Sequence, residues 1–319
     1  MKVEMEIELP EYRIYDMHAH FPVSQDDWLR DYNLEYERKN GPEKLEMLKK
    51  QAELSGKDWR EDWCFPDPGT ASSDFHAVAD AWALEVDRYH LGRVVFLTGG
   101  GNELLAGAVN AYPDKFIGFA HHSIEDADSA RQLEYAVRKL GLKGYKLLAP
   151  LIGTPLSDPR FDDVWSTAES LGIPVLIHFG ILGGGGGISN GPNISPLSIH
   201  DVAKRYPKLP IIVPHFGCGY VFELLQLCWA CDNVFVDTSG NNEWIKWVPW
   251  PFTLESLFEK YYETVGPGRI IFGTDSEWFP RGFCIRYLLD QLRACRRLNM
   301  PEMDIKKIFH DNAKLLLKL

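Results

Sequence analysis

Short apolar runs alternate along the chain with stretches whose apolar residues recur at helical spacing. The runs predict strands at 14–20, 93–98, 116–122, 142–147, 174–179, 210–216, 233–238 and 269–275. Helical spacing fills the intervals at 74–90, 102–112, 127–140, 162–171, 199–206, 221–231, 254–265 and 284–298, and a terminal helix covers 303–317. Eight strands, each followed by a helix, predict an α/β fold of the (β/α)₈ TIM-barrel type. Several strands are apolar throughout, as expected where helices cover the outside of a barrel. A doubly wound open sheet is the competing architecture. It fits less well, because the first βα turn has no G-x-G-x-x-G and polar residues end many strands instead of gathering at one switch point.

One stretch breaks the rhythm. Residues 21–73 are too long for an ordinary βα loop. They carry Trp28, Tyr32, Tyr36, Trp59 and Trp63 among many charges, with helical character over 43–53. The reading is a single domain over 1–319 with a lid-like insertion at about 21–73 lying over the barrel mouth, set against a solvated ornament or a dimer contact.

The polar residues stand where barrels do chemistry, at the C-terminal ends of strands. His18 and His20 close the first strand, His121 and His122 the third, His178 the fifth, His215 the sixth and Asp275 the eighth, and Lys146 lies near the end of the fourth. Strand alternation predicts that Asp16, His18 and His20 share one face. A lone histidine after an apolar run is usually a satisfied structural residue. Several imidazoles and a carboxylate on one rim are different, since burying each without a partner costs on the order of 2 kcal/mol. A metal ion repays that cost, which predicts a site built from His18, His20, His178 and Asp275. Of His121 and His122, at least one is expected to point outward.

Composition narrows the function classes. A net charge of −11 argues against nucleic acid and anionic membranes as partners. No apolar stretch reaches the ~18–20 residues of a membrane span, and Met1-Lys2-Val3-Glu4-Met5-Glu6 lacks the apolar core of a signal peptide. The expectation is a cytoplasmic enzyme acting on a small molecule, with a homodimer as a possible assembly. The six cysteines show no disulfide-scaffold spacing, and Cys228-Trp229-Ala230-Cys231 falls inside a helical pattern.

Asp16-Met17-His18-Ala19-His20, Val175-Leu176-Ile177-His178, Pro214-His215-Phe216-Gly217, Phe272-Gly273-Thr274-Asp275-Ser276 and the tail Ile308-Phe309-His310-Asp311-Asn312-Ala313-Lys314-Leu315-Leu316 occur in order over nearly the whole chain. As a set they resemble the amidohydrolase superfamily, and within it the amidohydrolase-related branch that includes aminocarboxymuconate-semialdehyde decarboxylase and γ-resorcylate decarboxylase. The resemblance implies one divalent metal, zinc first and manganese as the alternative, held by His18, His20, His178 and Asp275. It implies that His215 acts beside it as acid, base or electrophile. Many two-metal members carry a carboxylated lysine on strand four; Lys146 is near that position, and a substrate-carboxylate partner or a structural ion pair is the preferred reading.

Two reactions fit these residues. The first is hydrolysis of a carbonyl C–N or C–O bond by metal-activated water, with Asp275 moving the proton and His215 polarising the carbonyl. The alternative is non-oxidative decarboxylation of a small aromatic or unsaturated acid, with Asp275 or His215 delivering a proton to carbon. Asp16 is expected to orient a ligand histidine. Asn241, Asn242, Trp244, Trp247 and Trp250 after strand seven, with Trp278 after Asp275, are candidates to wall a flat substrate, and Arg281 to bind its carboxylate. The run at 183–187 reads as rim mobility. Gly99-Gly100-Gly101 reads as a tight turn in preference to an anion site.

Overall fold

A computed structural model describes residues 8–23, 27–70, 72, 74–182 and 191–319, with 27–29 as backbone only. The acidic start at 1–6, the glycine run at 183–187 and the Trp28 side chain lie outside the described residues.

Eight parallel strands are present among the described residues: β1 (Ile14–Ala19), β2 (Leu91–Phe96), β3 (Phe116–Gly118), β4 (Tyr145–Leu148), β5 (Val175–His178), β6 (Ile211–Val213), β7 (Val234–Asp237) and β8 (Ile270–Ile271). They pair in order as β1-β2-β3 and β4 through β8. Single parallel bridges, Ala120 to Tyr145 and Ala19 to Ser276, join the two sheets on both sides and close the barrel. The predicted (β/α)₈ architecture is therefore the observed one.

Helices cover the outside. The insertion after β1 folds as α1 (Asp27–Asn40) and α2 (Pro42–Asp62), and α3 (Phe75–Arg88) leads into β2. Asp74 caps α3 by accepting from His76 N and Ala77 N. Then follow α4 (Asn102–Ala111), α5 (Ser129–Arg138), α6 (Asp162–Leu171), α7 (His200–Arg205), α8 (Val221–Ala230), α9 (Leu254–Val265), α10 (Ile285–Arg297), α11 (Glu302–Lys306) and α12 (Asn312–Leu317). The insertion is thus more helical than the periodicity at 43–53 suggested. No described helix is long and apolar enough to cross a membrane.

The barrel interior is packed, not hollow. Met17, Val95, Ile117, Phe119, Leu176, Ile212 and Ile271 meet there, and Ala313, Leu316 and Leu317 of α12 join the same cluster. Filling the interior with apolar side chains leaves only the C-terminal rim for polar groups.

The strands end earlier than the apolar runs predicted. β6 stops at Val213 and β8 at Ile271, so His215 and Asp275 stand on the turns just beyond. Both residues have positive φ, +57° and +60°. These left-handed turns redirect the chain away from the ladder, which is why an apolar run reads longer than its strand.

Beneath the rim, Gln291 of α10 ties two strand ends together. It accepts from Thr238 Oγ1 (2.5 Å) and donates to Thr238 O (3.1 Å) and Gly273 O (3.4 Å). Replacing it by a residue of similar size without polar atoms, Gln291→Leu, strips Thr238 of these partners in a dry site. The expected loss is about 1–3 kcal/mol of stability, read as a lower urea midpoint with an unchanged slope.

Candidate active site

β1 reaches the rim through an irregularity. Tyr15 and Met17 pack with the interior cluster, so plain alternation would send His18 outward. The β1–β2 register instead shifts between Asp16 and Ala19, and His18 and His20 both line the rim cavity. Asp16 holds that irregularity: its Oδ1 accepts from His18 N (3.1 Å) and Thr274 N (3.0 Å), and its Oδ2 accepts from Thr274 Oγ1 (2.5 Å). The expectation that Asp16 shares a face with the histidines and orients a ligand imidazole is corrected here. Its carboxyl is spent on two backbone N–H groups and the Thr274 hydroxyl, and burial pushes its pKa up to about 7 against those hydrogen bonds.

The residue that orients His18 is Asp237, at the end of β7. Its Oδ2 lies 2.6 Å from His18 Nδ1. Sequence reasoning passed over it. The available signal was the run Val234-Phe235-Val236-Asp237, a carboxylate closing an apolar strand much as Asp275 follows β8. Burial raises the Asp237 pKa to about 6, opposed by His215 and by hydrogen bonds from Ser239.

Each imidazole has one nitrogen committed to protein. His18 Nδ1 faces Asp237, His20 Nδ1 lies 2.8 Å from Thr98 Oγ1, and His178 Nε2 is 2.7 Å from Ile181 O. A carbonyl can only accept, so His178 carries its proton on Nε2 and keeps the lone pair on Nδ1. His18 Nε2 is buried with no hydrogen-bond partner among the described residues and lies 3.4 Å from Asp275 Oδ1. His20 Nε2 is 3.2 Å from the same oxygen. Burial drives the His18 and His178 pKa values well below the ordinary value, reinforced by Lys146 and His215. For Asp275, burial acts upward, but the His20 hydrogen bond and the fields of His215, His18 and His20 outweigh it and hold the carboxyl well down. Neutral His18 and His178 beside an ionised Asp275 carboxylate are the protonation states that a divalent cation requires.

His18, His215 and Asp275 each offer a ligand atom within 4.8 Å of the others. His178 stands further round the rim, its ring centroid 5.0 Å from that of His215. His215 Nδ1 is 3.1 Å from Ser239 O and 3.0 Å from Ser239 Oγ, which places the Nδ1 proton on the carbonyl and leaves Nε2 free of both. The backbone is pressed close here. A Cβ added to Gly273 would stand 2.7 Å from His18 Cβ and 2.9 Å from Asp237 Oδ1, so only glycine lets β8 approach these side chains.

The cavity holds about 600 Å³ and its wall is largely apolar, with Phe21, Val78, Leu148, Leu182, Trp278 and Phe279 around the imidazoles. Lys146 is its buried cation, 3% exposed. Burial lowers its pKa to about 8, partly offset by Asp275 and Asp237. The insertion supplies Pro68, Gly69, Thr70 and Ser72 to the wall.

Other expected contacts fall elsewhere. Trp244 sits in the core with its indole nitrogen 3.3 Å from Asn242 Oδ1. The tight turn Glu243–Trp247 points it inward, while Trp247 and Trp250 are exposed. Trp278 does line the cavity. Arg281 does not: its guanidinium stacks on Trp278 and donates to Asp275 O. His121 and His122 serve structure, His121 Nε2 accepting from Gly101 N (3.0 Å) and His122 stacking on Tyr145. They border a second cavity of about 870 Å³ under α1. The Gly101 amide is thereby used internally, as a turn requires.

Comparison with known proteins adds the lineage. The sequence model described as "Amidohydrolase" matches residues 15–319. A γ-resorcylate decarboxylase of Rhodococcus jostii (strain RHA1) is 24% identical over 283 aligned positions, covering 71% of this chain and 78% of that protein. Among solved structures, a probable 2-pyrone-4,6-dicarboxylic acid hydrolase of Acinetobacter baumannii superposes with a TM-score of 0.61 at 15% identity, covering 97% of this chain and 100% of that one. A 5-carboxyvanillate decarboxylase of Novosphingobium aromaticivorans, complexed with manganese and 4-hydroxy-3-methoxy-5-nitrobenzoic acid, gives 0.62 at 18% identity over 97% of each chain. With its family model spanning the barrel from β1 to the last residue, this chain belongs to the amidohydrolase family.

Proposed function

We propose that the protein is a metal-dependent, non-oxidative decarboxylase of a small aromatic acid. The observation that carries this reading is the sequence likeness to γ-resorcylate decarboxylase across 71% of the chain. It displaces hydrolysis, the first expectation from sequence, to second place. The cavity chemistry supports the same choice: a largely apolar wall with one buried cation suits an aromatic carboxylate.

His18, His20, His178 and Asp275 are the residues proposed to hold one divalent ion, zinc or manganese. When bound, such an ion supplies a Lewis acid that anchors substrate oxygen atoms. The protein's own groups account for the remaining steps. Asp275, kept ionised, takes the role of a ligand and leaves proton delivery to His215. Ser239 fixes the His215 ring through Nδ1–H, so Nε2 is the atom proposed to take up a proton from solvent and, as its N–H bond breaks, to pass that proton to the ring carbon. That C–H bond forms, the bond from the same carbon to the carboxylate breaks, its electron pair returns to the ring, and carbon dioxide leaves. Lys146 binds an anionic oxygen of the substrate, and Trp278 with its apolar neighbours orients the ring and keeps bulk water out.

Metal-loaded protein, offered a panel of hydroxylated benzoic acids beside lactones and amides, is expected to release carbon dioxide from at least one acid. Acid release from the lactones or amides, with no carbon dioxide from any benzoate, would return the assignment to hydrolysis.

Two variants examine the ion site by elemental analysis and metal titration. Asp237→Asn removes the charge and one of the two acceptor oxygens shared between His18 and Ser239, and is expected to weaken metal binding ~10–100-fold. His178→Ala removes a proposed ligand outright and should weaken it further, abolishing turnover. A metal-free, fully active His178→Ala protein would overturn the ligand set.

Lys146→Met keeps the length of the side chain and removes the charge. Loss of a charge-assisted hydrogen bond of about 1.5–3 kcal/mol predicts a KM for the acid raised by one to two orders of magnitude, with metal content unchanged.

A further inference from the structure

Asp275 is held on three sides. Its N–H donates to His18 O at 2.7 Å, its carboxylate meets His20 Nε2 at 3.2 Å, and its carbonyl accepts from Arg281 Nη2 at 3.1 Å. It needs this hold, because its φ of +60° is a left-handed conformation that a residue with a Cβ adopts at a cost. Arg281 in turn is clamped. Its guanidinium carbon lies 3.5 Å from the Trp278 ring centroid and 5.3 Å from that of Phe65, and it forms no salt bridge with a carboxylate among the described residues.

Phe65 belongs to the end of the insertion, which is fastened to the turn after β8. Trp278 Nε1 donates to Pro66 O (3.3 Å), and Gly69 N donates to Phe279 O (2.8 Å). Trp59 packs edge-on against Trp278. Arg286 of α10 donates to Trp63 O at 2.7 Å and stacks on the Trp63 ring. Phe65 and Arg281 do not line the catalytic cavity.

We infer that Arg281 is a positioning residue, which fixes the backbone of Asp275 in ion-binding geometry and is itself held by the insertion through Phe65. A flat guanidinium suits both tasks, since it stacks on rings with its faces while its edge donates to a carbonyl. This inference rests on the proposed ion site and goes beyond it: Phe65, distant in sequence and outside the cavity, tunes metal affinity through Arg281.

The test is a Mn²⁺ titration of chelator-treated protein, read by electron paramagnetic resonance, for wild type, Arg281→Met, Arg281→Lys, Phe65→Leu and the Arg281→Met/Phe65→Leu double variant. Arg281→Met should weaken Mn²⁺ binding ~10–100-fold. Phe65→Leu should weaken it by a smaller factor, and the double variant should stay within about twofold of Arg281→Met, because Phe65 acts only through the arginine. Arg281→Lys keeps the charge and loses the stack, so it should fall between wild type and Arg281→Met.

If Arg281→Met binds Mn²⁺ as wild type does and only the KM for the acid rises, the guanidinium acts on substrate and the inference fails. Single-variant effects that multiply in the double variant also overturn it. Should Arg281→Met not fold, Phe65→Leu decides alone: wild-type affinity there is a negative result. A wild-type protein that binds no Mn²⁺ or Zn²⁺ sinks the ion site itself, a failure distinct from an intact site indifferent to Arg281.

Discussion

The seam between β1 and β8 is the constraint on which the rest of the molecule depends. A barrel exists only if its first and last strands meet, and β8 has just two residues of regular ladder. Backbone bonds from the chain beyond it make up the difference. Met17 N donates to Phe272 O, Asp275 N to His18 O and His20 N to Ser276 O. The three residues of this seam that carry functional groups, His18, His20 and Asp275, therefore reach each other through the same hydrogen bonds that close the barrel. Closure and site assembly are one event, and neither can be loosened without the other.

The electrostatics follow from that closure. Asp16, Asp237 and His18 are all fully buried, a placement that would be expensive for isolated charges. Each is answered locally. Asp16 faces two backbone N–H groups and the Thr274 hydroxyl, and Asp237 faces His18 Nδ1 and Ser239 N. What remains without an answer among the described residues is His18 Nε2, aimed at the Asp275 carboxylate. A buried lone pair beside a carboxylate, inside a rim of further imidazoles, is the physical signature of a cation site. It arises because the other nitrogen of the same ring is already employed by Asp237.

Much of this was legible in the sequence, and the parts that were not share a cause. His18, His20, His178, His215 and Asp275 all follow apolar runs, so their place at the rim came from their positions at the ends of predicted strands. Periodicity failed at Asp16, because an irregularity in the strand reverses facing without leaving a mark in the pattern of apolar residues. Asp237 was missed because one acid after an apolar run looks like any strand end; only its distance to His18 reveals its task. Trp244 was misplaced because a tight turn, not residue type, decides whether a tryptophan faces core or cavity. Arg281 was read as an anion binder on its charge, while its planar shape turned out to matter more, stacking it away from the cavity.

The insertion shows how far such reasoning can be carried. Its length, aromatics and charges suggested a lid over the barrel mouth, a solvated ornament or a dimer contact. Its C-terminal end is instead bolted to the turn after β8 by aromatic stacking and backbone hydrogen bonds, while Pro68, Gly69 and Thr70 form cavity wall. A wall attached to the turn that bears Asp275 cannot change shape independently of that turn. The cavity wall and the backbone that carries Asp275 are coupled in this barrel by the path of its chain.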